Sequence, residues 1–293
     1  MYKTDAERRV DEKNYILEFA EEVKAFKEVR ASVFGMSIPG TYAGIAHLSL
    51  RLNDVNEARR FFYKSAKIAL ETFSIFKGHR YPHLTKVGPL PFTSLFVKSF
   101  PSAVLCGNDD LMKEYMNTIY EEVSPAPRLL FNSEIMHAII ALVQGDRKKA
   151  QQHIARAHQP ENFKGPYAGF SHAVKGIIDH DTTMLNEGIL RRLKFHIKDT
   201  EDTIYHQTCA EATAFAKMAV DSGMNPDRSS PYINNGLIEN IEPIVFDGID
   251  EILNSLAIAD RKNSSLLARL GHYLNPNLQT PRKGFICHFI STD

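Results

Sequence analysis

The chain has 293 residues, 43% hydrophobic and 24% charged, so it is long enough to bury a sizeable core and too apolar for a disordered segment. Its 35 basic residues balance 35 acidic ones, which removes the net-charge argument for nucleic acid or an anionic membrane, and equally for an acidic nucleic-acid mimic. Three widely spaced cysteines, Cys106, Cys209 and Cys287, fit neither a disulfide framework nor a zinc knuckle.

The N-terminus lacks the apolar core of a secretory signal, and the longest apolar run, residues 138–143, is far too short to span a bilayer. The expected setting is the cytoplasm. Residues 1–30 alternate in charge, with Ile16, Phe19, Ala20 and Val23 on one helical face, and predict an amphipathic capping helix. Residues 42–76 predict a helical hairpin. Tyr42, Ile45, Ala46, Ser49 and Leu52 line the first helix, Asn53-Asp54 makes the turn, and Asp54 with Glu57 resembles a capping box. The second helix carries a core stripe of Ala58, Phe62, Ser65, Ala66, Ala69, Phe73 and Phe76.

Residues 77–93 break the periodicity with two glycines and three prolines, and loops this long are often functional. The segment reads as a connector, a partner-binding surface or an anion site. A second hairpin over 94–123 turns on Gly107-Asn108-Asp109-Asp110, and Pro101 should kink or delimit its first helix. A third, over 132–159, pairs a helix buried nearly all round (Ile135, Met136, Ile139, Ile140, Val143) with an amphipathic one whose stripe is Ala150, Ile154 and Ala157. Gly145-Asp146 lies between them, a left-handed stop followed by an amide-accepting start. After the loop 160–169, a fourth hairpin over 170–198 turns on His180-Asp181. The small residues of 204–222 predict a helix that neighbours approach closely, ended by Gly223. Two short helices, 248–260 and 264–272, and an irregular tail complete the chain.

The turn aspartates Asp109, Asp146, Asp181 and Asp221 recur at intervals of 37, 35 and 40 positions. The expected fold is therefore all-α, a single domain over 1–293 with its core in 42–238 and its C-terminal helices and tail in 239–293. Its stacked helical hairpins form a TPR-like α-solenoid or an irregular helical bundle. It is TPR-like in plan only, because the chain has no Trp.

Chemistry is sparse. None of the twelve histidines is followed by glutamate, so the HExxH zinc pattern is absent, as are phosphate-loop and nucleophile-elbow motifs. The pair His180-Asp181 has the ligand dipeptide of metal-dependent HD phosphohydrolases, but its place at a turn explains Asp181 as a cap. Glu211 lies beside His206 and Cys209; if buried it needs a partner such as His206 or Lys217. No metal or cofactor is expected.

The order of features over roughly 42–238 resembles the immunity protein 49 family of bacterial toxin–immunity systems. The resemblance rests on the helix NDVNEARRFFYKSAKIALETF after a turn, the Pro-rich connector, and the hairpin turning on QGD. It also includes the late run EATAFAKMAVDSGMNPDRSSPYI. It implies a non-catalytic protein that binds a cognate toxin and blocks it by occlusion. Loop position and residue type, rather than the family, select Arg80, Tyr81, His83, Lys86, Tyr167 and Tyr232 as partner-binding candidates. Two other readings stand beside it: a TPR-like adaptor holding a peptide, and an HD-type hydrolase.

Overall fold

The computed structural model describes residues 31–77, 90–120, 130–157, 165, 167–201, 203 and 205–239. The predicted capping helix 1–30, the C-terminal helices and tail, and the candidates Arg80, Tyr81, His83 and Lys86 lie outside them. The described residues form helices and no strand. In chain order these are α1 (Ala31–Arg51), α2 (Val55–Lys77), α3 (Leu90–Leu105), α4 (Asp109–Tyr120) and α5 (Leu130–Val143). They are followed by α6 (Arg147–Arg156), α7 (Phe170–Asp179), α8 (Thr182–Asp199), α9 (Ala210–Asp221) and α10 (Asn235–Ile238).

One local device makes most of the turns. At the end of α1 the amide of Asn53 donates to Leu50 O and that of Asp54 to Ser49 O, with Asn53 at φ 58°. Gly145 (φ 78°) and His180 (φ 54°) repeat this after α5 and α7, and Gly223 (φ 79°) after α9. This is a left-handed helix stop that satisfies the last free carbonyls. In three of the four cases the next residue is an aspartate that starts a new helix. Asp54, Asp146 and Asp181 each accept from the amide three residues on, at 3.0 Å in each case. Such a cap contributes about 1 kcal/mol.

Several expectations are corrected at this level. The cap of α4 is Asn108, whose Oδ1 accepts from Leu111 N at 2.8 Å, and Asp109 is already helical. Asp221, grouped with the turn aspartates by its interval, is the last residue of α9 and pairs with Lys217, so it does not cap a following helix as Asp146 and Asp181 do. The capping box is half formed: Glu57 pairs with Arg60 while the Asp54 amide is used by Ser49. Helix α1 begins eleven residues before Tyr42 and runs through Pro39. Helix α3 takes in residues 90–93 and runs through Pro101 rather than stopping there.

The predicted stripes are buried where their side chains are described. Ala58, Phe62, Ser65, Ala66 and Ala69 of α2, Ile135, Met136, Ile139 and Ile140 of α5, and Ala150, Ile154 and Ala157 are all enclosed, and their apolar members share one core. Val143, at the end of α5, and Leu52, just past the end of α1, are only partly covered. Phe73 and Phe76 lie outside the described side chains. Consecutive helices pack as hairpins, α1 on α2, α5 on α6 and α7 on α8.

The array then closes. Helix α9 packs on α3 as well as on α7 and α8, and α10 reaches α2. Phe100 of α3 is the hub of this closure, with ring centroids 5.7 Å from Phe215 of α9, 6.1 Å from Phe170 of α7 and 5.8 Å from Phe96. The fold is a closed bundle of hairpins, not an open stack in which each repeat meets only its neighbours.

Candidate functional site

Among the described residues, a cluster of polar side chains lies where α1, α8, residues 205–209 and α9 meet. Helix α8 buries Leu185, Gly188, Ile189, Arg192, Leu193 and His196, so helical periodicity carries a cation and an imidazole inward on an otherwise apolar sector. Arg192 Nη2 meets Glu211 Oε1 at 3.1 Å, and the guanidinium also lies over the rings of Phe195 and Phe170 at 5.1 and 6.0 Å. Glu211's partner is therefore Arg192; Lys217 is engaged with Asp221. Burial works to raise the Glu211 carboxyl, but the charge and hydrogen bond of Arg192, a backbone hydrogen bond and nearby His196 together outweigh it and hold the group below the usual carboxylate range.

The Cys209 thiol lies 3.7 Å from Glu211 Oε2 and is fully buried. Burial pushes its pKa up to about 12, and Cys106 behaves the same way, so both remain thiols at neutral pH. His196 Nε2 lies 3.1 Å from the His206 carbonyl, which only accepts, so Nε2 carries the proton. Tyr232 packs edge-on against both histidines, at 5.9 Å from His196 and 5.4 Å from His206. From α1, His47 meets Tyr205 edge-on at 4.9 Å and Phe62 at 5.9 Å. Burial draws the His47 pKa down to about 4, against the opposing pull of Glu211, and draws His196 down as well.

A second cluster joins α5 to α6. His153 Nδ1 lies 2.7 Å and Arg156 Nη2 3.0 Å from Glu134 Oε2, and the His137 ring stacks on His153 at 5.0 Å. Burial of Glu134 works to raise its pKa, and the hydrogen bonds from Arg156 and His153 more than reverse it. In a third, Arg59 Nε donates to Cys106 O at 3.1 Å, at the end of α3 where carbonyls lack helical partners. Each cluster ties neighbouring elements together through charge-assisted hydrogen bonds.

Of the sequence-based candidates, two are described. Tyr167 is half-buried, 5.7 Å from the Phe170 ring and 6.3 Å from Phe131. Tyr232 is half-buried in the histidine cluster, and its carbonyl accepts from Cys209 N at 2.8 Å. Both rings pack inward, and the two are not brought together by any described contact. His180 is the left-handed stop of α7, and the Asp181 carboxylate accepts from Met184 N at the start of α8. Among the described residues no group of three or more His, Cys, Asp and Glu side chains is placed to hold a metal ion. No described helix is long and apolar enough to cross a membrane.

Reading for motifs does not single out Arg192, His47 or His196. For Arg192 and His196 a signal does exist in the spacing of α8, since both fall in register with Leu185 and Ile189. The described residues define an all-α bundle of helical hairpins whose buried carboxylates pair with neighbouring cations. No family model, no curated protein and no solved structure matches the chain.

Proposed function

We propose that this protein works by binding another protein, and specifically that it neutralises a cognate bacterial toxin by occluding it. The observation that supports a non-catalytic scaffold is how the interior uses its reactive groups. Arg192 holds Glu211, Arg156 and His153 hold Glu134, and the Cys106 and Cys209 thiols are buried and protonated. A nucleophile needs an activated, accessible group, and the two thiols are neither. The toxin as partner rests on the sequence resemblance to the immunity protein 49 family. The packing of α9 on α3 favours recognition by the outer surface over a peptide held inside an open stack.

The test is co-expression with the toxin domain encoded by the adjacent gene, scored by host survival and then by co-purification. Rescue with a stable complex is the expected outcome; a complex of ordinary size would bury about 1,200–2,000 Å². A toxic neighbour that kills equally with and without this protein overturns the reading.

A further inference from the structure

The two large hydrophobic side chains exposed among the described residues, Leu190 (50%) and Ile197 (40%), lie on the same helix, α8. They are seven positions apart, two turns, so they share one face, and Lys194 lies between them on that face with Lys198 at its edge. All four residues are exposed. The opposite sector of α8, from Leu185 to His196, is the one built into the core.

The charge on this face is unbalanced. Glu187 is paired with Arg191 on its own helix, whereas among the described residues neither Lys194 nor Lys198 has an ion-pair partner. Two like charges at i,i+4 repel along the helix, and a facing carboxylate would relieve that repulsion. An apolar pair rimmed by unpaired cations has the makeup of a small interface: anchors that leave water, and charges that set partner and register.

We infer that the outer face of α8 is the docking surface for the toxin, which presents an apolar ridge flanked by aspartates or glutamates. This rests on the neutralisation reading above and names the surface for it. A second copy of this chain fits poorly. A two-fold interface opposes a patch to itself, and here that would bring together two surfaces of like net charge, each with Arg191, Lys194 and Lys198 against a single Glu187. Carboxylates on a different protein satisfy both features at once.

The experiment uses the full chain and the toxin domain encoded by the adjacent gene, with affinity measured by titration and survival by co-expression. Two double variants separate the two halves of the argument: Leu190→Ser with Ile197→Ser, and Lys194→Glu with Lys198→Glu. All four positions are exposed, so far-UV ellipticity and Tm are expected to match the parent. Each double variant is expected to weaken Kd at least tenfold. The charge-reversed variant is also expected to lose most of the salt dependence that the parent complex shows. If the parent protects and both variants protect and bind as well as it does, the α8 surface is wrong and neutralisation stands. If the parent itself neither binds nor protects, the neutralisation reading falls and takes the α8 surface with it.

Discussion

His47 is the residue whose chemistry has the clearest consequence for the molecule. Its ring is enclosed by Phe62 and Tyr205, near His196 and the Glu211–Arg192 pair, and burial holds its pKa at about 4 against the ordinary 6.5. The unfolded chain therefore binds this proton below pH 6.5 while the folded chain refuses it until about pH 4. Protons favour the unfolded state across that window, so stability is complete above 6.5 and falls as pH drops towards 4. Each pH unit between the two values is worth about 1.4 kcal/mol, so the loss is on the order of 3 kcal/mol. His196, lowered in the same direction, adds to the slope. The lowered carboxyls of Glu211 and Glu134 act in the next window down, since their contribution is lost only as pH falls below the usual 4.5. Urea titrations at about pH 7.5, 5.5 and 4.5 should show the midpoint falling stepwise. In His47→Gln the fall between about pH 6.5 and 4.5 should be shallower; an unchanged slope would mean that His47 is already protonated in the fold.

At the scale of elements, glycines do two different jobs that the same substitution separates. Gly145 is in the left-handed region at φ 78°, and a Cβ built there meets nothing within 4 Å. Gly188 is an ordinary helical residue of α8, but a Cβ there would stand 2.3 Å from Ala173 N and 2.8 Å from Gly169 O. Gly145→Ala should cost about 1–2 kcal/mol, purely from backbone conformation. Gly188→Ala should cost about 3 kcal/mol or more, because α7 and α8 must separate. His180→Gly, at φ 54°, should gain roughly 0.5–1 kcal/mol, since relief of the left-handed strain exceeds the added chain entropy. Thermal melts of the three variants check the order. Equal losses for Gly145→Ala and Gly188→Ala would remove the close-packing account of α7 and α8.

These elements also mark how much of the fold is legible in the sequence. Turns that depend on a residue and its next neighbours can be read directly, as at Asn53-Asp54, Gly145-Asp146 and His180-Asp181. The intervals mislead at Asp221, because a helix that ends in an aspartate looks locally like one that begins with it. Pro101 reads as a kink or a boundary, and it is not a boundary, since α3 continues through it as α1 continues through Pro39. Among site residues, the buried face of α8 is legible in its spacing, whereas loop position alone does not show that Tyr167 and Tyr232 are half-buried against neighbouring rings. The exposed pair Leu190 and Ile197 cannot be read from sequence. Leu190 is distinguished from buried Ile189 only by knowing which sector of α8 meets α7 and α9.

For the whole molecule, the decisive contact is one that no local pattern encodes. Phe100, Phe170 and Phe215 come from helices far apart in sequence, and their mutual packing joins the early hairpins to the late ones. An open repeat array gains stability from nearest neighbours and can lose its ends first. A bundle closed through a shared aromatic hub loses its parts together. With no Trp in the chain, tyrosine fluorescence reports tertiary structure, Tyr115 being fully buried beside Ser99, and far-UV ellipticity reports helix. In urea the two signals of the parent protein should fall in one coincident transition. Phe100→Ala should lower stability by about 3–5 kcal/mol through the cavity it leaves. Because that cavity sits at the closure, the two signals should also separate, with tyrosine fluorescence changing first and helix surviving to higher urea in hairpins that still have their local partners. Coincident transitions in both proteins would show that the hairpins hold together without the hub, and that closure by α9 adds stability without creating the cooperativity.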